Sequence, residues 1–476
     1  MTTPTSLAAL LALSQSQEDS PNTRHLNYTK HIHQVEFVNN VYDGIDSVIA
    51  AEYLFKFPQE TTDTYNTRAD RATLRNFVKR AVEAFTGMIF RKSIEVEGYG
   101  ARTTRSFAKI DTHQDIQSFT KDMTTAATKD GKTYILIDSP SDGSSAPYLV
   151  HIERSQLINW RSDVNGKFTM IVIEEVVATP VGKFGTAYKT QWRHYDDTGA
   201  ITIYQEVDKE IVLIETIQSD YIGIPLVEVV VDDIPILYDT AKLNIKHFNR
   251  LSHKDRYLTM AALPIPVIWG ADIGDDGAVT SAKPALVIGV DEAFIFTGTK
   301  QECDFEWREL DGSSIVELEK DLDSITEDIT TGILRAADSA NAVQKTATEV
   351  ALLQAEASDR VSAIAIAVES GMRDALIILA QFNNESVPET AKFIISKDFS
   401  SALAGTDGQR IVFESYLQGL VSIETYLQSL SDAELISIES TTKEIAKIKA
   451  DNFVPVPKTN DTTGMDNRTV NAINAE

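Results

Sequence analysis

Cysteine is almost absent. Cys303 is the single thiol among 476 residues, which excludes a disulfide framework within the chain. No histidine lies nearby in sequence to activate it, so a buried or half-buried structural thiol is the reading. Long hydrophobic runs are also missing. No stretch approaches the roughly 18–20 continuous apolar residues that a membrane-spanning helix needs. The one short apolar run near the start, LAALLAL at 7–13, has no Lys or Arg before it, which argues against a secretory signal. It reads as a short amphipathic helix or an arm. Positive charge is scarce. Against 70 Asp and Glu stand 44 Lys and Arg, a formal net charge of −26. Nucleic-acid affinity comes largely from neutralising phosphates, so a broad, tight nucleic-acid grip is excluded. Two readings of the acidity stay open. It keeps the protein soluble, or it lines a passage through which phosphate must slide without being trapped.

Catalytic constellations are equally thin. Gly131-Lys132-Thr133 has the ending of a phosphate-binding loop, but Ala126 stands where the first glycine belongs. Helix-like sequence precedes it and a strand follows, so a turn into a strand is expected. His31 and His33 lack a third ligand at a recognisable spacing. Asp232-Asp233 and Asp275-Asp276 sit beside Pro or Gly, where turn chemistry accounts for them. No catalytic, cofactor or metal residue is assigned. Arg68, Arg71, Arg75 and Lys79 follow helical spacing and read as a solvated or intersubunit basic stripe.

What is present is helical order. After a strand-like run, IPLVEVVV at 224–231, a helix begins near Asp239 with Ala241, Ile245, Phe248, Leu251 and Leu258 mostly at helical spacing. A strand-rich insert follows. A second helix carries Ile315, Leu318, Leu322, Ile325, Ile329 and Ile333 in steps of three and four. After a small polar break, a third helix starts at a capping box of Thr346 and Glu349. Its stripe runs Val350, Leu353, Ala357, Val361, Ile364, Val368, Met372, Ala375 and Leu379. Narrow apolar stripes on helices joined through a β insert are expected to be satisfied by packing against further copies of the chain. Charge is segregated here too. The first helix carries Lys242, Lys246, Arg250, Lys254 and Arg256, whereas the second carries Glu317, Glu319, Asp321, Asp323, Glu327 and Asp328.

Several passages resemble bacteriophage portal proteins, in particular a portal-like phage group catalogued as a domain of unknown function. They are YNTRADRATLRNFVKRAVEAFTGMIFRK (65–92), GKTYILIDSP (131–140), APYLVHIERSQLINWR (146–161), IGIPLVEV with DTAKLNIKHFNRLSHKDRYLTMAALPIPVIWG (239–270), and KTATEVALLQAEASDRV (345–361). The resemblance covers roughly 40–384 and rests on order and spacing. It implies an α+β chain with a portal fold. The parts are a mixed α/β wing, two long antiparallel stem helices, a small β-containing clip and a helical C-terminal crown.

On that reading the parts follow in order. Residues 1–40 are an N-terminal arm. Residues 41–237 are the wing, opening with two helices around a break near Pro58. Residues 238–262 and 312–335 are the stem helices, with the clip at 263–311. Residues 336–346 are a tunnel loop, 347–406 the long helix and its return to the wing, 407–450 crown helices, and 451–476 a flexible tail.

The family's role implies a homo-oligomeric ring, usually of twelve subunits, at one capsid vertex of the virion, assembled in the host cytoplasm. The implied partners are the terminase large subunit at the clip, the major capsid protein, head–tail adaptor proteins, and double-stranded DNA passing through the channel during packaging and ejection. No membrane, cofactor or enzymatic activity is implied. Asn341, Gln344 and Lys345 would touch DNA from the tunnel loop. Lys242, Lys246, Arg250 and Lys254 would meet Glu317, Asp321 and Asp328 across subunit boundaries. The rivals are another head–tail connector ring protein and a nucleotide-dependent packaging enzyme; the latter would need the intact phosphate loop that Ala126 breaks.

Overall fold

Side-chain capping fixes where the first helices begin. The computed structural model describes residues 19–58, 60–111, 113–139, 146–219, 221–261, 265–269, 294–296, 305–308, 313–333 and 347–397, with six further positions between 416 and 427. His25 accepts from the Asn27 amide and opens α1 (Leu26–Asp43). Gly44, at φ 117°, ends it and leads into α2 (Ile45–Ala50). Thr61 caps α3 (Thr62–Arg71), and Asn76 caps α4 (Phe77–Ile89). Each cap satisfies an amide that the first turn leaves unpaired.

This corrects two expectations. Residues 26–40 are not an arm; Tyr28, Val35, Val38 and Val41 are buried on α1. Nor do two helices fill 41–92, since α2, α3 and α4 share that stretch. The apolar positions of α1 are diluted by polar neighbours, so its period is weak in sequence. The basic stripe breaks because two helices and their connection share it. Arg68 and Arg71 lie on α3, Arg75 in the connection, and Lys79 on α4.

The sheets follow. β1 (Glu95–Glu97) precedes α5 (Ala101–Ser106) and a 3₁₀ turn at Phe107–Lys109. α6 (Ile116–Asp130) is capped by Asp115 and ends at Gly131, which is left-handed at φ 76°. A Cβ on Gly131 would sit 2.7 Å from the Asp232 carbonyl oxygen, so both conformation and space require glycine. β2 (Lys132–Asp138) is the centre of a three-stranded antiparallel sheet between β3 (Tyr148–Ile152) and β9 (Leu226–Val230). A five-stranded antiparallel meander runs β4 (Leu157–Ser162), β5 (Phe168–Val181), β6 (Gly185–Asp196), β7 (Ala200–Val207) and β8 (Glu210–Gln218). The β7–β8 turn places Asp208 and Lys209 at φ 52° and 71°. Two consecutive positive φ values match the twist of a tight hairpin. Tyr134, Leu136, Ile152, Leu157, Ile171, Ile173 and Tyr195 join the two sheets in one apolar cluster.

α7 (Tyr238–Ala261) leaves this body and packs on α1, α4 and α8 (Ser313–Ile333). Between α7 and α8 lies a small sheet. Its central strand β10 (Ile265–Trp269) pairs parallel with β11 (Phe294–Phe296) and antiparallel with β12 (Phe305–Arg308). α9 (Ala347–Phe382) returns to lie on β9, β2 and α6. Its Val361, Ile364, Val368, Met372, Leu376 and Leu379 are buried, and Gly371 lets the helix close on Val229. β13 (Lys392–Ile394) then pairs antiparallel with β1.

Part of each helix stripe is therefore filled within the chain, although Leu258 of the α7 stripe stays 40% exposed. Ala241 and Phe248 on α7, and Leu322, Ile325 and Ile329 on α8, are buried without any second copy. The reason is that α7 presents its apolar face to α1 and α4, and α8 covers the remaining side. The chain divides into two compact units, 1–397 and 398–476. In the second unit Tyr416 and Tyr426 stack at 4.8 Å. The capping box at Thr346, the tunnel-loop residues Asn341, Gln344 and Lys345, Cys303, and most of the crown and tail lie outside the described residues.

Candidate functional site

α7 is the element on which the site turns, because it has three working faces. One is apolar, as above. A second is polar and buried, and sequence reasoning missed it. Asn244 accepts from the Phe77 amide at 2.9 Å and donates to the Arg75 carbonyl at 2.8 Å, so α7 helps cap α4. Asn249 accepts from the Phe55 amide and donates to the Tyr53 carbonyl. One turn on, Ser252 accepts from Arg68 Nη1 at 3.0 Å, and Arg256 Nη1 lies 3.2 Å from Glu60 Oε1. The polar residues at 244, 249, 252 and 256 fall near one face, which in sequence reads as solvated.

Arg68 is the centre of this contact. Its Nε and Nη2 hold the two Glu60 oxygens at 2.9 and 2.8 Å, and Nη2 also donates to the Phe55 carbonyl. The guanidinium lies against the rings of Phe57 and Tyr65. The Glu60 side chain is 0% exposed and that of Arg68 is 7%. The Arg68 hydrogen bond, with help from the Phe57 amide and the Arg256 charge, holds the Glu60 carboxyl below the usual range against the opposing effect of burial. Arg68 is thus a buried structural cation, not part of a solvated stripe.

The third face carries the segregated charge. Arg250 Nε lies 2.9 Å from Asp321 Oδ2, and Lys254 Nζ lies 2.8 Å from Glu319 Oε1. Both bridges are internal to the chain and join α7 to α8. Glu317 is engaged along its own helix by Lys320 at 3.3 Å. Lys242 lies over the Tyr238 ring at 4.4 Å. Lys246 and Asp328 are exposed, and among the described residues no ion pair is recorded for either. A cavity of about 290 Å³ opens between the helices, lined by Arg75, His247, Leu251 and Asp323 among others. Burial, and after it the nearby Arg75 charge, lower the His247 pKa from the ordinary imidazole value.

The Arg250–Asp321 bridge is half exposed, and such pairs contribute about 0.2–1 kcal/mol. Arg250→Asp is expected to destabilise the chain in urea by that order. Adding Asp321→Arg should recover most of the loss. A double-mutant cycle with no coupling would show that the bridge does not hold α7 to α8.

The remaining sequence candidates fall elsewhere. Lys132 of the Gly-Lys-Thr run is held by Asp233 at 2.7 Å and Glu228 at 3.4 Å, and Thr133 shares a hydrogen bond with His151. Gly131 ends a helix instead of opening one, the reverse of a phosphate loop. His31 lies on α1, bonded to Gln34. Among the described residues no group of three or more His, Cys, Asp or Glu is placed to hold a metal ion. No described helix is long and apolar enough to cross a membrane.

Comparison with known proteins gives one family match. Residues 236–383 match a family described as "Domain of unknown function (DUF4055)". No curated protein matches the chain. Among solved structures, the chain is similar to one from the virion of a native gene transfer agent particle. That pair has 12% identity and a TM-score of 0.39, over 73% of this chain and 88% of that one. A chain from the neck of an empty particle, computed with C6 symmetry, has 10% identity and a TM-score of 0.40 over 77% and 92%. One from the neck of a native particle, computed with C12 symmetry, has 11% identity and a TM-score of 0.39 over 74% and 88%.

Proposed function

We propose that this chain is the subunit of a portal-type ring at one vertex of a phage-like particle, a structural conduit for double-stranded DNA. The observation that carries the reading is the order α7, small sheet, α8, α9. A helical hairpin holds a β insert at its far end, and the following helix returns to the core of the sheet domain. The ordered sequence resemblance over roughly 40–384 supports it, as does the family match that spans the whole of this hairpin and α9.

Within that reading the α7–α8 hairpin is the stem and the β10–β12 sheet the clip, where the terminase large subunit would dock. Adaptor and capsid proteins would meet the clip and the sheet domain. Asn341, Gln344 and Lys345 would line the channel. A ring requires head-to-tail contacts that close on themselves. With the inner parts of the helix stripes buried within the chain, charge would set the register of the stem. Lys242 and Lys246 on one chain would face Glu317 and Asp328 on the next, favouring the correct neighbour and penalising misalignment. Arg250, Lys254 and Asp321 already brace the hairpin within one chain.

Electron microscopy of the purified chain is expected to show closed rings with an axial channel. Lys246→Glu should weaken their assembly at low salt while leaving the monomer's unfolding curve unchanged. A compact monomer at every concentration and salt would overturn the proposal.

A further inference from the structure

The five-stranded sheet has one face that is covered at its base and bare further out. At the base, Val172 and Trp192 are buried together with Tyr28 of α1 and Ile158, and Tyr204 and Ile211 pack against them. Glu174 pairs with Trp192, Trp192 with Tyr204, and Tyr204 with Leu213. Directly opposed residues share a face, so this row runs across the sheet to its edge strand. Side chains alternate along β5, so Val176 continues the face of Val172 and Glu174. Tyr188 lies opposite Ala178 and belongs to the next row. Val176 is 68% exposed, Tyr188 73% and Leu213 55%. An apolar surface contiguous with a core cluster thus ends in solvent.

The residues just before α1 contact the base of this surface. Arg24 lies 3.8 Å from Glu174 and over the Tyr28 ring. His25 stacks on Trp160 at 4.1 Å, and its amide donates to the Ile158 carbonyl. The residues before α1 are therefore seated where the bare part of the face begins. Upstream, residues 1–17 contain no charged side chain, and Leu7, Leu10 and Leu11 have the i, i+3, i+4 spacing of one helical face. Leu13 and Asp19 are six Cα steps apart, a reach of up to about 20 Å, whereas Val176 is only two strand residues, about 7 Å, beyond Glu174.

We propose that residues 7–13 dock on the outer half of this sheet face in the same chain, with the leucines against Val176, Tyr188 and Leu213. The segment would extend the cluster around Trp192 over the outer part of the sheet face. The inference does not depend on the portal reading.

The test uses the full chain with Cys303→Ser, so that no native thiol competes. Leu10→Cys and Val176→Cys are joined with a short bifunctional maleimide at low protein concentration. The products are read by gel mobility and peptide mass spectrometry. The expected result is a link between positions 10 and 176 within one chain. A link found only between chains would assign the face to a neighbour's arm and overturn the proposal, as would no link. Hydroxyl-radical footprinting gives a second reading. Deleting residues 2–18 should raise oxidation of Tyr188 and Leu213 severalfold, and an unchanged footprint would overturn the docking.

Discussion

Arg68→Ala will lower the stability of the chain by about 3–5 kcal/mol, because it removes the group that holds both oxygens of a buried carboxylate. Glu60 would keep two hydrogen bonds, from the Phe57 amide and from Arg256, both at 3.2 Å. The connection at 53–61, α3 and α7 would all lose the group that joins them. Urea unfolding measures the loss. A paired replacement, Glu60→Gln with Arg68→Met, should be milder than Arg68→Ala alone, because it removes both charges instead of leaving one. If the single variant unfolds within 1 kcal/mol of the parent, on the scale of ordinary surface substitutions, the ion pair is not what holds α7 in place. The pH dependence has a definite sign. The Glu60 carboxyl is held low in the folded state, so its contribution is fully present above the ordinary glutamate value of about 4.3. It is lost as pH falls through the lowered folded value. Acid unfolding of the Glu60→Gln, Arg68→Met variant should accordingly be less steep.

Asp130→Asn will stabilise the chain at pH 8, on the order of 2–4 kcal/mol. Asp130 closes α6 and is 1% exposed, and one of its oxygens is buried without a hydrogen-bond partner among the described residues. Burial pushes its pKa up to about 7, and the nearby Glu153 pushes the same way. Lys129, Arg154 and a hydrogen bond from Asn39 oppose the shift without cancelling it. A carboxyl with a raised folded pKa takes up a proton on folding. Its stabilising contribution is complete below the ordinary aspartate value and is lost as pH rises through about 7. Asparagine imitates the neutral form at every pH. The gap between variant and parent should therefore grow by about 2 kcal/mol from pH 5.5 to 7 and stay constant above. A gap independent of pH would mean that Asp130 is ionised in the folded chain.

Both predictions rest on buried charge, which a single sequence records poorly. Glu60 and Arg68 are eight residues apart and look like surface residues. Only the approach of α7, through Ser252 and Arg256 from nearly two hundred residues away, encloses them. The same long-range closure decided the fate of the helix stripes. Their 3.6-residue period was legible, so α7, α8 and α9 could be placed from Phe248, Ile325 and Val368 and their neighbours. Period says that a face is buried and does not say against what. α1 shows the converse. His33, Glu36 and Asn39 interrupt its apolar positions, so only packing against α6 and α7 defines its buried side.

The sequence by itself determined the local order of this protein. Helical spacing placed α7, α8 and α9, the change from helix-like to strand-like sequence at Gly131 set a turn there, and opposite charges segregate onto α7 and α8. Composition alone set the acidic character and ruled out a disulfide framework. The tertiary structure decided which of those charges meet. Arg250 and Lys254 turn inward to Asp321 and Glu319, and Arg68 is enclosed. The physical reason is that local pattern is a property of neighbouring residues, whereas burial and ion pairing belong to surfaces brought together from distant parts of the chain. A carboxylate or guanidinium has the same identity in either setting, and only its surroundings fix its charge, its partners and its cost.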